Sequence, residues 1–154
     1  MKTVSMKSTL LFAALLMGTS IAGVAAESGV PEDPRQAVEM PPLQRALMRE
    51  EMVHHLSSLN DVFGLLNAGK LKESAEVAER DLGFSSMGKH AARTQGMGPG
   101  RFMPDAMRAI GIGMHKSASE FSETARKGNR EAAYKALEPV MGACVACHAG
   151  YRIK

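Results

Sequence analysis

The sequence predicts an all-α chain, an antiparallel four-helix bundle. Three observations carry this. Apolar residues recur at steps of three and four in four separate segments, glycine or proline punctuates the segment ends, and no segment alternates apolar and polar residues with period two. Four amphipathic segments joined by two short turns and one long connection are the pattern of a bundle.

The opening stretch, "MKTVSMKSTLLFAALLMGTSIAGVAAES", is read apart from the fold. Lys2 and Lys7 precede an apolar run from Leu10 to Met17, and small residues follow, with Val24 and Ala26 at the two positions that cleavage needs. This is the pattern of a secretory leader. The run is short for a membrane span of roughly 20 residues, and Thr19 and Ser20 interrupt it. The expected organisation is a signal peptide over 1–26, a flexible lead-in over 27–42 and a helical domain over 43–154. An exported, soluble product with no membrane span follows. Of 19 Lys and Arg, two lie in the leader, so the remainder nearly balances the 16 Asp and Glu. Nothing in that balance argues for a nucleic-acid partner.

Pro41 and Pro42 stand where proline is tolerated, at a helix start. From there Leu43, Leu47, Met52, Leu56, Leu59, Phe63 and Leu66 form the stripe of the first helix, which should stop near Gly69. The second is expected from about Leu71 to Leu82, with Leu71, Ala75, Ala78 and Leu82 on one face. Residues 84–103 are rich in glycine and read as a long connection with one helical turn near Met87–Arg93. Pro104 opens the third helix, striped by Met107, Ile110, Met114, Ala118, Phe121 and Ala125. Asn129 caps the fourth, whose inner face takes Ala133, Leu137, Val140 or Met141, Cys144, Cys147 or His148, and Tyr151. Aromatic residues make up only 5% of the chain and Trp is absent. A core so poor in aromatic bulk packs on Leu, Met and Ala or fills with something else.

The fourth helix carries the chemistry. In "MGACVACHAGYRIK" both cysteines of the chain stand three apart, and a histidine follows directly: Cys144, Cys147, His148. C-x-x-C-H is the attachment signature of haem c. Two thiols at this spacing can each form a thioether to one vinyl group, and the adjoining imidazole is presented to the iron. On a helix the three side chains share a patch. The competing chemistries fit less well. A thioredoxin-like pair would follow a strand, and a structural zinc site needs four ligands at finger spacing. A simple disulfide leaves the histidine without a role.

The motif on the last helix of a bundle, followed by Tyr151 and Arg152, resembles the class II cytochromes c, which include the cytochromes c-prime and their low-spin relatives. The resemblance covers residues 43–154 in helix order and motif position, and its specificity rests on C-x-x-C-H-x-x-[YF]-R. It implies one covalent haem c bound by Cys144 and Cys147, with His148 as axial iron ligand. It also implies a periplasmic location, redox partner proteins, pairing of two copies through the first two helices, and electron transfer or gas binding without bond-making chemistry. The sixth side of the iron would face the first helix. Low-spin relatives place a Met there, and Met52 on the apolar stripe is the expected ligand, with Met48, one turn earlier, second. Arg45 and Arg49 are candidates to pair with the haem propionates, and Arg152 to brace the haem. Gly111 and Gly113 would let the third helix approach the porphyrin. His115, His90, Met87, Met97 and Met103 are reserve ligands, whereas His54 and His55 are expected at the surface because the stripe passes them by.

Met opposite His stabilises ferrous iron and suits a one-electron carrier. If instead Leu47, Met48 or Leu56 merely crowds the sixth side, the iron stays five-coordinate and takes up nitric oxide or carbon monoxide. A third expectation lies outside haem chemistry: an exported helical chain rich in Met and His handling copper. Against it, the methionines follow packing stripes rather than clusters.

Overall fold

A computed structural model describes residues 31–154. The expected leader and the first residues of the lead-in lie outside them. The chain is mostly helical. In order it forms strand β1 (Gln36–Val38), helices α1 (Pro42–Asn67), α2 (Leu71–Asp81), α3 (Ala91–Thr94), α4 (Asp105–Arg126) and α5 (Arg130–Gly150), and strand β2 (Tyr151–Ile153). Two 3-10 turns, Phe84–Ser86 and Pro99–Phe102, flank α3. The long expected helices are therefore α1, α2, α4 and α5, and α3 with its turns belongs to the long connection.

The local signals act where the sequence placed them. Pro42 opens α1, and the Asn129 side chain accepts from the Ala132 N–H to cap α5. Gly69 and Gly128 take left-handed backbone, with φ of 73° and 81°, in the turns that follow α1 and α4. Neighbouring helices then run α1 against α2, α2 against α4 and α4 against α5.

Two apolar clusters form the interior. The first gathers the C-terminal part of α1 with α2, α4 and α5 around Phe121, which is fully buried. Ala75, Ala78, Ala118, Ala125 and Ala133 surround it, so small side chains let the backbones approach. Two buried hydroxyls stitch the helices there: Ser74 Oγ donates to Val62 O at 3.1 Å, and Ser122 Oγ donates to Ala75 O at 2.8 Å. The second cluster is built on Val38, Met40, Met48 and Met107, with Met52, Phe102, Met103, Cys147, Tyr151 and Ile153 packed against it.

Two expectations are corrected here. The lead-in is not flexible throughout: Gln36–Val38 pairs in parallel with Tyr151–Ile153, and Val38 and Met40 are buried. A three-residue strand is too short for a period-two pattern, and burial of its apolar end in the methionine cluster holds it. The inner face of α1 also differs. Gln44, Leu47, Met48, His55, Ser58, Leu59, Val62 and Leu66 are buried, while Leu43, Val53, Leu56 and Phe63 are exposed, Leu56 by 71%. Helix α1 carries apolar residues round most of its circumference, so spacing alone admits two stripes about one residue apart. The buried face is the one that brings Gln44 Nε2 to Met97 O, to which it donates, while Ser58 Oγ is satisfied within the helix by donating to His54 O.

This rotation is testable by denaturation. Leu66→Ala is expected to cost about 2–5 kcal/mol, the usual loss for a buried leucine. Leu56→Ala, on the expected stripe but exposed, is expected to stay within about 0.5 kcal/mol. Comparable losses at both positions would restore the stripe read from spacing.

Candidate functional site

Cys144, Cys147 and His148 all lie near the end of α5. The two cysteines are half-buried free thiols, and His148 is exposed. Cys144 packs against the first cluster and Cys147 against the second, so the pair sits where the clusters meet. Burial pushes both thiols above their usual range, and the nearness of Cys144 raises Cys147 further. Both are therefore protonated at neutral pH, the opposite of the lowered thiol of a disulfide-exchange pair. The outer side of this turn is apolar as well, with Val145 67% exposed.

Helix α1 brings two thioethers to the cluster that holds Cys147. Met48 is 4% exposed and Met52 half-buried, and both touch the same group of side chains. Met40, Met103 and Met107 join them, so five of the chain's methionines share one cluster. The stripes seen in the sequence thus converge in space. On α4, Gly111 and Gly113 fall between Met107 of the second cluster and Met114 of the first. A Cβ on either glycine would meet nothing within 4 Å.

The expected arginines are scattered around this end. Arg45 is half-buried and Arg49 exposed, and neither makes an ion pair with a described residue. Arg152, on β2, has its Nε 3.5 Å from Asp33 Oδ2, too far for a hydrogen bond, and that Nε is buried without a hydrogen-bond partner among the described residues.

The structure also assembles a polar group that spacing did not reveal. His55 is buried, against expectation, because its helix face turns inward beside Glu51. Its Nε2 lies 2.9 Å from Glu51 Oε1, off line for a hydrogen bond. Lys89 Nζ is 2.7 Å from the same oxygen, and His90 Nε2 is 2.7 Å from Oε2. The His115 ring meets the His55 ring edge-on at 6.0 Å between centroids. His115 Nδ1 stands 2.7 Å from Leu82 O, and since a carbonyl only accepts, Nδ1 carries the proton. A cavity of about 410 Å³ beside this group is lined by Glu50, Glu51, His54, Lys89, His90 and Arg93. Among the described residues no three His, Cys, Asp or Glu side chains are set to hold a metal ion. At Glu51 the Lys89 ammonium takes the place a cation would need. His90 and His115 are thus committed to protein partners, and Met97 contributes its carbonyl to Gln44. Of the reserve ligands, only Met103 reaches the cysteine-bearing cluster. The signal for the polar group was present in the i, i+4 pair Glu51 and His55, but its partners lie 38 and 39 residues from Glu51 in the chain.

Comparison with protein-family models, curated proteins and solved structures finds no match. Among the described residues no helix is long and apolar enough to cross a membrane.

Glu51 sets a pH dependence. Burial raises its carboxyl, but the contacts from His55, Lys89 and His90 outweigh burial and hold it at about 2, below the ordinary 4.5. The folded protein therefore takes up that proton less readily than the unfolded chain. The stability it contributes is complete above about pH 4.5 and is lost as pH falls towards 2. Glu51→Gln removes this contribution, so its urea midpoint is expected to fall less than the wild type's across that window. A parallel fall in both proteins would assign the acid sensitivity to other carboxylates.

Proposed function

We propose that the protein is an exported, periplasmic monohaem c-type cytochrome that carries one electron at a time between partner proteins, with class II four-helix-bundle architecture. One observation carries the reading. Two free cysteines at haem-attachment spacing, followed by a histidine, stand where the two clusters meet, and Cys147 packs against the methionine-rich one, to which α1 supplies two thioethers. The residues fit the group in other respects. Gly111 and Gly113 leave open space on α4, and the Nε of Arg152, buried 3.5 Å from Asp33 Oδ2, makes no hydrogen bond among the described residues, so a propionate could take one from it.

When bound, haem supplies a single reversible iron oxidation, and the protein supplies ligands, burial and a docking surface. Cys144 and Cys147 hold the group through their sulfurs. His148 would supply a ring nitrogen to the iron, and its exposed ring is free to turn. Met52 would supply a thioether sulfur to the iron. Met48 is already packed on nearly every side, whereas Met52 keeps surface for a bound group to cover. Arg45 and Arg49 are available to propionates, and Arg152 would be shared between them and Asp33. Ligation by both His148 and Met52 would favour electron transfer over bond-making chemistry. Pairing of two copies belongs to the same reading.

The visible spectrum of the protein produced with haem-maturation machinery is the test. Covalent haem with a low-spin ferric spectrum and a sulfur-to-iron band at the red end is expected. Met52→Ala is expected to convert it to high spin, and Met48→Ala to leave it low spin. The reverse result would exchange the two methionines. A high-spin wild type would sink Met ligation and make the protein a five-coordinate binder of nitric oxide or carbon monoxide. That outcome would assign the buried Met48 a crowding role. Absence of covalent haem would sink both readings and turn attention to copper(I) on the five clustered thioethers.

A further inference from the structure

We infer that the long connection between α2 and α4 is a clasp that sets the position of the methionine pair of α1, and that Glu51 is its positioning residue. The inference rests on the reading above, in which a thioether of that pair faces the iron.

The argument begins with helix lengths. Helix α1 has 26 residues and α2 has 11. At 1.5 Å per residue these are about 39 Å and about 16 Å. The chain reverses at Gly69, so α2 lies along the C-terminal part of α1 only. Its reach is marked at one end by the bond from Ser74 to Val62 O and at the other by His54 Nε2, 3.6 Å from Asp81. Residues 42–53, which carry Met48 and Met52, outrun it. Besides α2, α1 packs against the 3-10 turn Pro99–Phe102 of the connection.

The connection grips the overhang at three points. Gln44 donates to Met97 O at 3.0 Å, Glu50 accepts from Arg93 at 3.2 Å, and Glu51 takes Lys89 and His90 at 2.7 Å each. These points bracket Met48, and the strongest is the residue directly before Met52. The Glu51 and His90 side chains are largely buried, which screens their pairing from water. Helix α1 is thereby fixed in rotation as well as in place: turning it by one residue would carry Glu51 out of reach of both partners. The same rotation would swing Met52 away from the cluster it shares with Cys147.

The test uses haem-loaded full-length protein. Wild type is compared with Glu51→Ala, Lys89→Ala and Lys89→Arg, and with Lys116→Ala, which breaks an exposed ion pair on α4. Two quantities are read: the sulfur-to-iron band and the affinity of ferric protein for imidazole. In Glu51→Ala and Lys89→Ala the haem is expected to stay attached, the band to weaken and imidazole to bind about tenfold more tightly. Lys89→Arg is expected to restore both, and Lys116→Ala to change neither. A wild type without the band would overturn the ligation reading, and the clasp with it. A wild type with the band, and clasp variants that keep both band and affinity, would leave ligation standing and overturn the clasp alone. Should Glu51→Ala fail to accumulate, amide exchange in Arg93→Ala serves instead. Exchange is expected to quicken across residues 42–53 and stay unchanged across Ala118–Ala125. A uniform change across the chain would overturn the proposal.

Discussion

The grip on the Glu51 carboxylate is the contact on which the architecture at the cysteine end depends. It joins α1 to a connection with little regular structure of its own. Lys89 brings a charge, His90 and His55 bring ring nitrogens, and the three converge on two oxygens. A largely buried carboxylate stripped of its partners is costly, by about 3–5 kcal/mol where the pair is fully desolvated. The connection therefore has one low-energy seat on α1. Given that seat, the Met97 carbonyl meets Gln44 and Phe102 and Met103 enter the second cluster.

The two clusters divide the interior by mechanical character. The cluster that holds Phe121 is built of alanine, valine and leucine with a single buried methionine, and two buried serine bonds fix the helix register. The second cluster is mainly methionine, an unbranched side chain that repacks at small cost. A protein that must admit a large rigid group at one end while keeping its fold benefits from this division. The stiff cluster holds the helices in order, and the soft one yields volume. Cys144 touches the first and Cys147 the second, so an attached group would be anchored at the boundary between them.

What the sequence made legible was whatever is decided locally. The long helices follow from spacing and caps, and the motif follows from five consecutive positions. The inner face of α1 was not legible, because Leu43, Val53, Leu56 and Phe63 are as apolar as the residues that are buried. Only the tertiary contacts of Gln44 with Met97 and of His55 with His115 select the face. The Glu51 group was hidden for the same reason, as Lys89 and His90 leave no local mark of the carboxylate they meet. Strands β1 and β2 pair residues more than a hundred positions apart over three residues each, too short for a pattern.

Those strands also restrain the end of α5 that carries the motif. The last turn of a helix frays unless the residues after it are tied down. Here Tyr151–Ile153 leave α5 directly into parallel pairing with Gln36–Val38, and the Lys154 N–H donates to Val38 O at 3.0 Å. The partner strand is itself anchored, because Val38 and Met40 are buried in the cluster that receives Met48 and Cys147. The restraint is thus mutual: the segment that stops α5 from unwinding is held by the side chains that the motif faces. Tyr151 and Ile153 touch that cluster as well. The exposed ring of His148 accordingly stands on a helix end whose backbone is fixed on both sides, free to rotate about its own bonds but not to drift from the cysteines beside it.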